Sequence, residues 1–160
     1  MSQLVPLFLL TPVMVAAAYF DLRFMRIPNL LSLIAVAIFV VSTLLFPPAD
    51  LVLRLVIALL VFALGIVAFA FRLVGGGDVK LLSALMLLVP ANGIVVFANV
   101  FSASLIAGII LLLAARRIPA TRKWGWKSFG GSQRFPMGLS IAMSGLAFPV
   151  IALALQSHWS

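Results

Sequence analysis

The sequence predicts an all-α, polytopic membrane protein: six transmembrane helices in a single domain, residues 1–160, with both termini outside. Three observations predict it. Hydrophobic residues make up 65% of the 160 and charged residues only 9%, a balance found in membrane proteins rather than soluble domains. The apolar runs reach about twenty residues, the length a helix needs to cross a bilayer. The basic residues fall between those runs instead of along a polar face, so the net charge of +8 reads as a topology signal and not as an affinity for nucleic acid.

The first run, 4–20, has no basic residue before it and is followed by Arg23 and Arg26, so it reads as a retained helix and not as a signal peptide. The second, 30–46, stops at Pro47 and Pro48. The third, 51–71, opens after Asp50, which reads as a turn residue or helix N-cap. The fourth, 79–89, is short: about eleven residues at about 1.5 Å each cover about half of a roughly 30 Å hydrocarbon core before Pro90, Asn92 and Gly93 interrupt. The fifth, 94–115, and the sixth, 137–155, are long enough to span.

Charge decides whether the fourth run crosses. Arg23 and Arg26 follow the first run, Arg54 lies near the second connection, Arg72 and Lys80 flank the third, and Arg116, Arg117, Arg122, Lys123, Lys127 and Arg134 lie at the fifth. If all six runs cross, every basic residue except Arg54 lies on one side. If the fourth only dips in and returns, the basic fifth connection lands opposite the first and third, against the positive-inside rule. Six crossings are therefore expected, with a short fourth helix accommodated by local thinning of the bilayer or by running on past Pro90.

The chain has no cysteine and one histidine, His158. Disulfides, thiolate metal sites and cysteine nucleophiles are excluded, and one histidine cannot make a metal cluster, so neither a metal site nor a cofactor is expected. The only acids are Asp21, Asp50 and Asp78. The predicted topology brings Asp21 and Asp78 to the cytoplasmic ends of their helices, at one membrane depth. Each has a plain structural reading, Asp78 as an N-cap and Asp21 as an interfacial partner of Arg23. In a chain that avoids acids elsewhere, a paired role is the stronger reading. Two carboxylates sharing a site cannot both ionise, and such a pair can activate water and polarise a carbonyl, the chemistry of aspartyl proteolysis.

Gly75, Gly76 and Gly77 precede Asp78. Without Cβ atoms they can adopt positive φ and admit a second backbone, so they read as substrate-binding residues beside Asp78. Lys80 faces away from Asp78 on a helix and reads as a headgroup anchor. Asn29 and Asn99 read as packing hydrogen bonds. The segment 116–134, RRIPATRKWGWKSFGGSQR, interleaves basic residues with Trp124, Trp126 and Phe129 and reads as a loop on anionic headgroups.

Gly75-x-Gly77-Asp78, continuing DVKLLSALML, together with DLRFMRIPNLLSL from Asp21 and a late Pro136-Met137-Gly138, resembles the prepilin peptidases, membrane aspartyl proteases of the GxGD type. The resemblance runs in order along essentially the whole chain. It implies that Asp21 and Asp78 are catalytic and that the enzyme removes a short basic leader from type IV prepilins or pseudopilins at the cytoplasmic face of a bacterial inner membrane. Larger members carry a cysteine zinc segment and also methylate; with no cysteine, no methyltransferase activity is expected here. The short form is similar to the peptidases of tight-adherence (Flp) pilus systems. Many members read Pro-x-Gly-Pro where this chain reads FPMGLS, so this box also reads as a helix start with Pro in its first turn. The competing class is a transporter or assembly subunit whose aspartates bind a proton or cation, but such acids are more natural near the bilayer midplane than at helix ends.

Overall fold

The computed structural model describes residues 4–117 and 136–158. The segment 118–134, with Trp124, Trp126 and Phe129, and the side chain of His158 lie outside the described residues. Among the described residues the chain is all helical, with seven α-helices and one 3₁₀ turn.

The first apolar run becomes two helices, α1 (Val5–Leu9) and α2 (Thr11–Phe24). Pro12 divides them, because it has no N–H to give the Phe8 carbonyl and its ring crowds that oxygen. The Leu10 N–H bond to Pro6 and the Met14 N–H bond to Leu10 carry the backbone across the join. Past the apolar run, α2 continues through Asp21 and ends where Met25 turns left-handed, φ 53°, and gives its N–H to the Asp21 carbonyl at 2.8 Å. The second and third runs form α3 (Asn29–Leu45) and α4 (Leu51–Ala70).

The fourth run forms α5 (Gly76–Leu88), which extends about 20 Å at about 1.5 Å per residue. Val89 leaves the helix in an extended conformation, as expected before Pro90. A 3₁₀ turn, Ala91–Gly93, then leads into α6 (Ile94–Arg117), and α7 (Met137–His158) follows. Three helical stretches are long and apolar enough to cross a membrane: Leu51–Ala70, Ala91–Arg117 and Met137–Leu155. A fourth, Asn29–Leu45, is apolar but shorter.

α5 is the hub, packed against α3, α4 and α7, while α2 and α6 both pack on α7. Seven of its 13 residues are buried, among them Leu81, Leu85 and Leu88. These meet Leu7, Leu10 and Met14 from the first two helices and Ile141 and Phe148 from α7 in one core. Phe97 closes it edge-on against Phe148, with centroids 5.5 Å apart. α4 stands at the opposite extreme, burying only Ala58 and Arg54, and its outer face of Leu, Val and Phe suits acyl chains.

The far end of α5 is held by charge. Arg54 is buried, donates from Nε to Asp50 Oδ1 at 2.8 Å, and reaches the Leu88 carbonyl at the end of α5 at 3.3 Å. A cation at that position complements the negative end of the helix dipole. Asp50 uses its other oxygen to accept the Ala91 N–H at 2.7 Å. It stands in the turn and at the N-cap position of α4, as the sequence indicates, though its side chain makes no cap bond to that helix. Burial works against the Asp50 charge, but the Ala91 N–H and Arg54 outweigh it and hold the carboxyl below its ordinary value.

Candidate active site

Asp21 continues the buried stripe of α2 after Val13 and Ala17, and is itself only 4% exposed. An acid in the last turn opposes the helix dipole, so its own helix disfavours the charge. The compensation comes from the other end of the chain: Leu139, in the first turn of α7, donates its N–H to Asp21 Oδ2 at 3.1 Å. N–H groups in a first turn have no acceptor within their own helix, so this bond costs α7 nothing.

Asp78 is the third residue of α5, and Gly75 is the N-cap. The carboxylate folds back so that Oδ2 accepts the Gly75 N–H at 3.1 Å, the half of a capping box that a glycine N-cap permits. The sequence reading of Asp78 as the N-cap itself is thus corrected by three positions. Its other oxygen, Oδ1, is buried and has no hydrogen-bond partner, an arrangement that is costly unless another group completes it.

Both aspartates lie just beyond the apolar runs. Burial first, and then the charge of the neighbouring Asp78, push Asp21 up to about 7 against the pull of the Leu139 and Gly138 N–H groups. Burial likewise pushes Asp78 up to about 6, opposed by the Gly75 N–H. The charge of Asp78 thus reaches the Asp21 carboxyl.

A stability prediction follows. With its pKa raised, folded Asp21 binds its proton more tightly than the unfolded chain does, so ionisation destabilises the fold as pH rises from the ordinary 3.8 through about 7. Asp21→Asn removes this cost. In detergent, the variant is expected to melt a few degrees above the wild type near pH 8, with the gap closing towards pH 4. Parallel melting curves at every pH would contradict the assigned burial of charge.

The three glycines are not alike, and none of them has a positive φ; Gly75 is extended, at φ −80° and ψ 145°, and starts the helix that Gly76 and Gly77 continue. The expectation of a positive-φ turn is corrected in favour of close approach. A Cβ on Gly75 would lie 2.6 Å from Asp78 Oδ2, and one on Gly77 would lie 2.9 Å from the Ile27 carbonyl oxygen. Gly76 meets only the Phe69 ring, at an ordinary 3.5 Å.

Lys80 faces away from Asp78, as expected, but it has a partner: its ammonium donates to Asn29 Oδ1 at 3.0 Å, tying the start of α3 to α5. Asn99 donates to the Val95 carbonyl within its own helix. Arg23 does not pair with Asp21; it donates to the Tyr19 hydroxyl and lies over the Tyr19 and Phe24 rings. Among the described residues no three His, Cys, Asp or Glu side chains gather as a metal site.

Sequence reasoning missed two contributions, Ile27 and the start of α7. Ile27 is buried between Gly77 and Gly138, with Cδ1 2.6 Å from where a Cβ on Gly138 would be. The only signal was the late Pro-x-Gly box. The box is a helix start, but Pro136 stands one residue before the helix and not in its first turn, and the residues after it reach Asp21.

Fold and site together define a helical membrane protein with two carboxyls of raised pKa at helix ends. The model of the type IV leader peptidase family matches residues 8–113, and the chain belongs to that family. The match includes both aspartates and the glycine run and ends before α7. Comparison with curated proteins and with solved structures gives no match.

Proposed function

We propose that the chain is an aspartic endopeptidase that removes the short basic leader from type IV or tight-adherence (Flp) prepilins or pseudopilins, with Asp21 and Asp78 as its dyad. The observation that carries this reading is the pair itself: a buried Asp21 and a half-buried Asp78, both raised by burial, Asp21 also by the charge of Asp78, and one with a buried, unpartnered oxygen. Family membership supports the peptidase over a transporter or assembly subunit.

With one proton shared, the ionised carboxylate takes a proton from water as the water oxygen bonds to the scissile carbonyl carbon. The protonated partner gives its hydrogen to the carbonyl oxygen, forming a neutral gem-diol. The dyad then gives its proton to the amide nitrogen while the other carboxylate takes one from a gem-diol hydroxyl, so that the C–N bond breaks as the carbonyl re-forms and the dyad returns with one proton. Asp78 Oδ1, buried and unpaired, is suited to the carbonyl contact. Gly75, exposed beside that carboxylate, and its neighbours Gly76 and Gly77 line the approach of the substrate backbone. The absence of cysteine favours a peptidase without methyltransferase activity.

The proposed topology has six crossings, the active site facing the cytoplasm of a bacterial inner membrane, and the basic segment 116–134 on anionic headgroups. α5 crosses as the short helix, with its charged far end at the opposite face. A reporter fused after Trp126 is expected to report cytoplasm and one after His158 the exterior; the reverse would remove the six-crossing arrangement. Co-expression with type IV and tight-adherence prepilins, read as the mass lost on leader removal, tests the activity. No processing of any of them would sink the proposed function.

A further inference from the structure

The start of α7 is built against Asp21 at a position that tolerates no side chain. A Cβ on Gly138 would lie 2.8 Å from Asp21 Oδ2, 2.9 Å from its Cγ and 2.6 Å from Ile27 Cδ1. Gly138 is buried, and the next residue gives Asp21 its N–H bond at 3.1 Å. The approach is an anion seated on the first turn of a helix, whose free N–H groups and dipole favour negative charge. Elsewhere in α7 a glycine meets something softer: a Cβ on Gly145 would press on the Met14 side chain, with Sδ at 2.8 Å.

We propose that Gly138 is a positioning residue for Asp21: lacking a side chain, it lets the first turn of α7 close on the carboxylate and hold it in place through backbone N–H groups. The inference rests on the dyad reading above. Among the described residues, the charged group facing Asp21 is Asp78 of α5. The first turn of α7 carries no acid. Arg23 is turned to Tyr19, Lys80 to Asn29, and Arg26 in the connection between α2 and α3 is exposed. The backbone N–H groups are thus the stabilisers of the Asp21 charge, and displacing them disfavours its ionised form.

The test is steady-state processing of a prepilin by the full chain in detergent or native membranes. Gly138→Ala is expected to lower kcat by about tenfold or more with KM within about twofold, and to move the acid limb of the pH profile up by about one unit. Gly145→Ala, the same change on the same helix against a flexible partner, is expected to retain wild-type kinetics. The double variant Ile27→Val/Gly138→Ala removes the Cδ1 in the way while leaving the carboxylate crowded, and is expected to remain impaired with the limb still displaced.

Full recovery in that double variant would show that Gly138 serves only to seat Ile27, and would overturn the inference, as would an unchanged pH profile in Gly138→Ala. The position of the acid limb does not depend on how much enzyme folds, so a poorly accumulating variant still decides the matter. Asp21→Asn is run in parallel. If it is inactive while Gly138→Ala behaves as wild type, this inference alone falls; if Asp21→Asn still processes, the dyad reading falls.

Discussion

Asp21→Asn and Asp78→Asn, made separately, are each expected to abolish leader removal, by at least about a thousandfold in kcat, while the protein still inserts in the membrane. Asparagine keeps the shape of the side chain and can still accept the Leu139 or Gly75 N–H, so the helix ends stay capped. It cannot share a proton, and the proposed chemistry depends on that sharing. If the carboxyls act as one unit, as proposed, the double variant is expected to be no worse than either single one. The measurement is the mass of a co-expressed prepilin beside the amount of peptidase in the membrane fraction. Normal processing by either variant would show that the aspartates are not the dyad.

Asp50→Ala is expected to cause the largest loss of stability. It leaves Arg54 buried without its carboxylate and takes the acceptor from the Ala91 N–H. Breaking a fully buried pair costs about 3 to 5 kcal/mol. Here the Asp50 side chain is 25% exposed against 5% for Arg54, so about 2 kcal/mol is expected, a fall of roughly 4 to 8 °C in Tm for a chain of this size. The Asp50 carboxyl is held below its ordinary value, so its contribution is present at neutral pH and lost as pH falls through the folded pKa. The double variant Asp50→Ala/Arg54→Met removes the stranded charge and is expected to recover much of the loss. Additive losses in that pair would mean the two side chains do not depend on each other.

Much of this fold is legible in apolar runs and breakers. Each run corresponds to helix in the structure, because a helix in lipid must bury nothing but side chains and its ends must fall at Pro, Gly or charge. Pro12 was legible too but was read through, since the hydrophobic run continues on both sides of it. The two aspartates stood out because the chain has almost no acids and because Asp21 violates a local rule, an acid in the last turn of a helix. The bond between Leu139 and Asp21 was not legible: it joins residues 118 apart, and no spacing rule reaches across four intervening helices. The glycines were half legible. Spacing indicates that something must come close, but which backbone or carboxylate does so is decided only by the packing of Ile27 and the fold-back of Asp78. Asp50 was legible as a turn residue and N-cap position, but its bond from the Ala91 N–H was not, since that depends on where α5 ends.

Three helix termini converge around Ile27: the end of α2, the start of α5 and the start of α7. Among the described residues, the groups that offset the carboxyls are the first-turn N–H of Leu139 for Asp21 and the N-cap N–H of Gly75 for Asp78, against the negative end of α2. A peptide dipole cannot be deprotonated, cannot swing away and draws no counterion cloud of its own. Buried as it is, it is screened little by added salt. The ionisation of these carboxyls is in this way expected to respond little to ionic strength, even in a chain of net charge +8 whose approach to other charged molecules salt does alter.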